Sequence, residues 1–276
     1  MNTMQDTMVQ PRELSFLSML LSQGDPRVRN WPLMGSPAAI IAIVAGYLYF
    51  SLHLGPALMK NRRPFSIRPL VLAYNAVTVL LSVYFFVTML QMTYLRGTAA
   101  GVKGLPPYSV FCEGTDITAN GTALLRHLWL YMFTKISELL DTVFFVLLKK
   151  NDHISSLHIL HHSIALSTVW LGVNNGITGQ TSMVPVLNTA VHTVMYSYYA
   201  LSALPSSLRQ NLWWKKYVTL FQIVQFIALA LHSAIPLYYD CGFARPMSWI
   251  VLIETTMFAW LFSRFYYYHY TLRKAD

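Results

Sequence analysis

Seven stretches of mostly apolar residues run through this chain, at about 36–54, 69–93, 122–148, 154–173, 183–204, 216–237 and 246–269. A helix of roughly 20 such residues crosses a hydrocarbon core. Nothing inside a bilayer can hydrogen-bond to open backbone, so helices are what such stretches must become. The sequence predicts an all-α polytopic membrane protein with seven transmembrane helices. It reads as a single domain over 1–276, with 1–33 as an N-terminal segment and 270–276 as a tail. Only 11% of its 276 residues are charged and 55% are hydrophobic, against about a quarter charged in soluble domains. That excludes a disordered chain, a disulfide-dense secreted module and most soluble enzymes. The first 30 residues carry only a short apolar patch, Leu14 to Leu21, so no cleaved signal peptide is expected.

The net charge of +9 is explained by where the charges lie. A lumenal N-terminus puts Lys60, Arg62, Arg63, Arg68, Lys149, Lys150, Arg209, Lys215, Lys216, Arg264, Arg273 and Lys274 in cytosolic segments. It leaves Arg12, Arg27, Arg29, Arg96, Lys103, Arg126 and Arg245 opposite. The cytosolic majority follows the positive-inside rule, and Trp213–Trp214 reads as an interfacial belt. An odd number of spans then places the C-terminus in the cytosol. The basic excess is mostly topology, and no nucleic-acid partner is expected. Cys112 and Cys241 both fall on the lumenal, oxidising side, where a disulfide between them is expected. Asn120-Gly121-Thr122 is a sequon on that side, too close to the third span for glycosylation to be expected.

Ionisable residues inside spans are costly and point to function. Lys135, Glu138 and Asp141 recur every three residues on one helical face; an intramembrane ladder that only joins helices is the alternative. His158, His161 and His162 share a face of the fourth span. His192, Tyr196 and Tyr199 align on the fifth, and Thr219, Gln222 and Gln225 on the sixth. At 1.5 Å per residue these groups fall at similar depth in the cytosolic half of the membrane. Such agreement predicts one polar chamber open to the cytosol. A receptor or transporter has no cause to gather three histidines and two carboxylates there.

Clustered histidines allow two chemistries. Neutral imidazoles can act as nucleophile and general base. Alternatively, His-x-x-His-His occurs in non-haem di-iron membrane desaturases and hydroxylases. Those need about eight histidines in several boxes, whereas this chain has nine in all and a single box. Two cysteines cannot supply a thiolate metal site.

Four boxes then carry a family likeness: Lys135-x-x-Glu138-x-x-Asp141-Thr142, His158-x-x-His161-His162, His192-x-x-Met195-Tyr196-x-Tyr198-Tyr199 and Thr219-x-x-Gln222-x-x-Gln225-Phe226. With Gly55-Pro56 to Met59 and Asn61 to Phe65, which match a first cytosolic loop, the chain resembles an animal member of the very-long-chain fatty acid elongases, the membrane 3-ketoacyl-CoA synthases, over nearly its whole length. The resemblance implies condensation of a long-chain acyl-CoA with malonyl-CoA to a 3-ketoacyl-CoA two carbons longer, releasing CO₂ and CoA, with helices 2–7 enclosing an acyl-chain tunnel. It implies an acyl-imidazole on His161, with His158, His162 and His192 orienting groups, moving protons and stabilising the enolate. Glu138 and Asp141 would fix imidazole tautomers. Lys135 would balance those carboxylates or touch CoA, and Gln222, Gln225, Tyr196 and Tyr199 would donate to the thioester carbonyl. Arg62, Arg63, Lys149, Lys150, Lys215 and Lys216 would attract the CoA phosphates.

No redox cofactor or metal is expected, because decarboxylation drives carbon–carbon bond formation. Expected partners are the two acyl-CoA substrates, the lipid bilayer, other enzymes of the elongation cycle and a second copy of the chain. The expected location is the endoplasmic reticulum membrane, and Arg273-Lys274 near the C-terminus resembles a retrieval signal. Where many animal members have Gln-x-Thr-Phe-Leu before the histidine box, this chain has His153-Ile154-Ser155-Ser156-Leu157, a departure bearing on chain-length or unsaturation preference. Leu160 in place of a tyrosine before His161 weighs against the polyunsaturated-specific subgroup.

Overall fold

A backbone in apolar surroundings must satisfy its amides locally. In the computed structural model of the protein, which describes residues 15–99, 101–205 and 212–272, every regular element is accordingly a helix. Arg12, Arg209 and the Arg273-Lys274 pair lie outside the described residues. The elements are α1 (Phe16–Leu21), α2 (Ala38–Tyr49), α3 (Gly55–Met59), α4 (Arg68–Met92), α5 (Ala119–Glu138), α6 (Leu140–Leu147), α7 (Ser156–Asn174), α8 (Met183–Ala203), α9 (Lys215–Tyr238) and α10 (Arg245–Tyr266).

The rods Ala38–Met59, Arg68–Met92, Lys215–Tyr238 and Arg245–Thr271 are long and apolar enough to cross a membrane. Their outward faces carry exposed large side chains, among them Ile41, Leu80, Leu231 and Ile253, which a lipid phase covers without penalty. The protein is a multi-pass membrane protein. The rods formed by α5–α6, α7 and α8 cover three further apolar stretches, but each is diluted by the polar residues of the boxes.

Two boundaries differ from the sequence expectation. The first rod does not end at Leu54. A proline cannot donate a backbone hydrogen bond and its ring crowds the carbonyl four residues back. The chain absorbs Pro56 by widening into a π-helical turn, Phe50–Leu54, in which the Gly55 amide reaches Phe50 O. Residues Gly55–Met59, expected as loop, are therefore helical. The third rod is also not continuous. At Leu139 the amide bonds to Ile136 O at 3.2 Å, a tightened turn that separates α5 from α6.

The described part of the N-terminal segment, residues 15–33, is strapped across one end of the bundle. Met19 and Val28 are fully buried. Trp170 and Trp129 donate their indole N–H groups to Leu33 O (2.8 Å) and Pro32 O (3.0 Å). Asn175 donates to Met19 O (3.2 Å), and Arg27 to Gly176 O (2.9 Å).

Beside this strap, three loops are knit together. Cys112 and Cys241 form a disulfide with Cα atoms 5.8 Å apart. Gln180 donates to Phe111 O (3.2 Å) and His232 O (3.0 Å), while its side-chain oxygen accepts from the Glu113 amide (2.9 Å). Gly179 holds φ +70°, and a Cβ there would run into Gly114 O, so this crossing requires glycine. Asp116 accepts from Tyr108 (2.9 Å) and pairs with Arg96 (3.3 Å). Burial pushes the Asp116 carboxyl up, but bonds from the Thr118 hydroxyl and amide, from Tyr108 and the Arg96 charge outweigh it and hold the carboxyl below its ordinary range. Asn120 is exposed in the first turn of α5.

Candidate active site

The polar residues of the four boxes come from different helices and meet inside the bundle. In α5, Lys135 and Glu138 stand one turn apart, and Nζ of Lys135 donates to both Glu138 oxygens at 2.9 Å. Both side chains are buried. The ammonium also donates to Asn188 Oδ1 (2.7 Å), and its charge lies 4.9 Å from the centre of the Tyr131 ring. The Tyr131 hydroxyl donates to the same Asn188 oxygen at 2.7 Å. With that oxygen engaged twice, the side-chain amide of Asn188 is fixed in orientation, and its Nδ2 has no hydrogen-bond acceptor among the described residues. From α8, His192 brings Nδ1 to 3.2 Å from Glu138 Oε1. A carboxylate can only accept, so this contact puts the proton on Nδ1 and leaves Nε2 as the basic nitrogen.

The histidine box begins where Ser155 caps α7, its Oγ accepting from the His158 amide at 3.2 Å. His158 Nε2 lies 2.9 Å from Thr142 Oγ1, and Thr142 in turn lies 2.9 Å from the Tyr47 hydroxyl of α2. The ring centres of His158 and His162 are 4.4 Å apart, and those of His161 and His162 are 5.5 Å apart. His161 is set among the rings of Phe226, Phe258 and Phe262 at 5.0–6.1 Å. Among the described residues neither of its nitrogens is hydrogen-bonded. Its position is fixed by packing, and its lone pair is uncommitted.

His161 lines a cleft inside the bundle. Around it stand Lys135, Asn188 and Gln225. Beyond it the wall runs through Ala165, Thr168, Gly172 and Val173 of α7, Val184 and Pro185 of α8, and Met247, Val251 and Glu254 of α10, ending at Ile177 and Thr181 under the knit loops. From His161 to Val173 is twelve residues of helix, about 18 Å. A separate small cavity lies behind the Lys135–Glu138 pair, between Thr78, Ser82, Thr134, Thr189 and His192.

Several expected roles change. Asp141 is not bonded to an imidazole among the described residues: it continues the face of Lys135 and Glu138 toward α8, where Tyr196, one turn beyond His192, donates to it at 2.6 Å. That commits the Tyr196 hydroxyl proton, so Tyr196, fully buried, is not a free donor for a thioester. Gln222 donates to Met195 Sδ at 3.3 Å and does not line the cleft, and neither does Tyr199, whose ring packs on Tyr196 at 5.8 Å. Gln225 does line it.

The basic residues lie outside the cleft. Arg62, Arg63, Lys149, Lys150 and Lys215 are exposed near the histidine-box end, and Lys216 is half-buried over the Tyr217 ring. His153, stacked on Phe145 at 5.1 Å, is held below the ordinary imidazole range by burial and by Lys215 and Lys150.

A family model described as "ELO: GNS1/SUR4 family" matches residues 32–276. The chain belongs to the ELO family. It is 38% identical over 261 residues to very long chain fatty acid elongase 1 of Mus musculus, covering 92% of this chain and 89% of the mouse protein. It is 39% identical over 264 residues to very long chain fatty acid elongase 7 of Rattus norvegicus, covering 94% and 90%. An Aedes aegypti elongase is 38% identical over 253 residues, covering 91% of this chain and 68% of that protein.

In this ELO protein, sequence reasoning missed Tyr131, Asn188, Thr168 and Glu254. Tyr131, Asn188 and Thr168 carry no charge and fall outside the four boxes. Glu254 had a signal, being the only acidic residue of the stretch 246–269.

Proposed function

We propose that this protein is a very-long-chain 3-oxoacyl-CoA synthase, condensing a long-chain acyl-CoA with malonyl-CoA. The observation that carries the reading is His161: an imidazole with an uncommitted lone pair at one end of a long, mostly apolar cleft. About 18 Å of cleft accommodates some 14 carbons of extended chain, at roughly 1.25 Å per carbon from ordinary C–C geometry.

In the first half-reaction a His161 nitrogen attacks the thioester carbonyl. The new C–N bond forms as the C–S bond breaks, CoA leaves as the thiol, and an acyl-imidazole remains. In the second, malonyl-CoA loses CO₂, the electron pair released as an enolate forms the C–C bond to the acyl carbon as the C–N bond breaks, and the departing His161 ring takes up one proton from solvent to regenerate the neutral imidazole. Splitting the reaction this way lowers each barrier.

Neither His162 nor His192 lines the cleft itself; in this reading His162, packed on His161, and His192, with Nε2 basic through its Glu138 bond, relay the proton that CoA requires. The amide N–H of Asn188 and that of Gln225 supply the donors suited to the developing oxyanion, a role expected from sequence of Gln225 together with Gln222, Tyr196 and Tyr199. Lys135 balances Glu138. The exposed Arg62, Arg63, Lys149, Lys150 and Lys215, with Lys216, supply positive potential for the CoA phosphates at the histidine-box end. Seven rods, a basic histidine-box end and a disulfide at the other support seven spans in the endoplasmic reticulum membrane, with the histidine box toward the cytosol.

The test is the purified protein in detergent with acyl-CoA and carboxyl-labelled malonyl-CoA. Labelled CO₂ and a 3-ketoacyl-CoA appear in equal amounts, and His161→Ala abolishes both. Full condensation by His161→Ala would overturn the nucleophile assignment.

A further inference from the structure

A glutamate stands inside the wall of the cleft, well beyond the reacting groups. Glu254 of α10 lines it directly, opposite Thr168 of α7, whose hydroxyl donates to Glu254 Oε2 at 2.7 Å. Among the described residues Glu254 has no basic group within 4 Å; the buried ion pairs of the bundle involve Lys135, Glu138 and His192 instead. The neighbours along the wall are Ala165, Val169, Gly172, Val251 and Thr255. One hydrogen bond satisfies one carboxyl oxygen; the other has no partner among the described residues, and the side chain lines the cleft. A carboxyl in such surroundings is among the costliest groups a membrane helix can carry. A bond between helices alone could be made by a hydroxyl at far lower cost.

We propose that Glu254 and Thr168 form a polar recognition point for the acyl chain, and that the preferred substrate carries a hydrogen-bonding oxygen, such as a hydroxyl, near its ninth carbon. The inference rests on the condensation reading above and specifies its substrate class. Thr168 lies seven residues along α7 from His161, about 10 Å. With the carbonyl carbon at His161, roughly 1.25 Å per carbon brings carbons 8 to 10 level with Thr168 and Glu254. A hydroxyl there satisfies the open carboxyl oxygen. A plain methylene passing the same point leaves that oxygen facing hydrocarbon. A site built to bond a substrate hydroxyl can discriminate by up to about 10⁴-fold against the analogue lacking it. Because Thr168 already satisfies one oxygen, a smaller preference, on the order of tenfold to a hundredfold, is expected here.

The experiment compares 9-hydroxyoctadecanoyl-CoA, 2-hydroxyoctadecanoyl-CoA and octadecanoyl-CoA on the purified full chain. It reads kcat/KM and, separately, thermal stabilisation by each ligand, which reports binding without turnover. The expected result is a preference of about tenfold or more for the 9-hydroxy chain over the plain chain, with none for the 2-hydroxy chain. The preference collapses in Glu254→Leu and shrinks in Thr168→Val, while use of the plain chain rises in Glu254→Leu. Glu254→Gln, which keeps size and polarity, retains most of the preference and guards against a variant that fails to fold. Equal handling of the 9-hydroxy and plain chains by the unaltered protein, in turnover or in binding, overturns the proposal. Selective binding of the 9-hydroxy chain without condensation would support the recognition point while rejecting the condensation reading.

Discussion

His192 Nδ1 lies 3.2 Å from the same Glu138 oxygen that accepts from Lys135, so one buried carboxylate orients an imidazole of α8 and neutralises an ammonium of α5. Replacing Glu138 with Gln removes both functions. Condensation should fall by at least about 100-fold, the scale of a lost proton-transfer arrangement. A charge left without its partner costs about 3–5 kcal/mol, so Lys135→Met should lower the melting temperature. The double variant Lys135→Met/Glu138→Leu should regain stability but stay inactive. Thermal unfolding and labelled CO₂ release on the same preparations separate the two effects.

Tyr47 touches no candidate substrate-binding group, yet its hydroxyl fixes Thr142, which in turn meets His158. Tyr47→Phe keeps the ring and removes that tie, a loss of about 1 kcal/mol in stability. The expected kinetic result is a drop in kcat of roughly tenfold with KM little changed, because acyl binding is untouched. A rise in KM alone would show that α2 shapes the cleft instead.

Gly172 lines the cleft where α7 faces α10, and a Cβ added there would sit 3.5 Å from the terminal methyl of Met247. Gly172→Leu fills that space without contact to the histidines. Products should shorten by about two to four carbons, at roughly 1.25 Å per carbon. Chromatography of products from an acyl-CoA series from 12 to 24 carbons (about 15 to 30 Å extended) reads the shift.

Asp116 supplies a pH dependence at the disulfide end. Its carboxyl is held below the ordinary 3.8 of an unfolded chain, so it contributes stability that is present above that value and lost as pH falls below it. Asp116→Asn should lower the melting temperature at pH 7, and the gap from the unaltered protein should narrow as acidification protonates the native carboxyl. A constant gap from neutral pH to the acid limit of folding would show that packing, not charge, is what Asp116 contributes.

The histidine, glutamate and lysine boxes were legible because ionisable groups stand out against an apolar span, and helical periodicity placed each set on one face. The partnerships between boxes were not legible. Asp141 shares the face of Glu138 but lies opposite Tyr196, one turn of α8 beyond His192, and no pattern within one helix records which residue of its neighbour stands opposite. Gly55-Pro56 reads as a helix stop, but a π turn absorbed it. The N-terminal strap was hidden because its buried anchors, Met19 and Val28, are single apolar residues in a polar stretch. Glu254 obeyed the rule that flagged Glu138, and lacked only a second charged residue nearby to draw the eye.

Ile177, almost wholly buried beneath the knit loops, lines the cleft at the end opposite His161. On the proposed chemistry the acyl carbonyl sits at His161 and the tail runs toward those loops. Length would then be gauged at the end opposite the bond being made, by residues that touch no reacting atom.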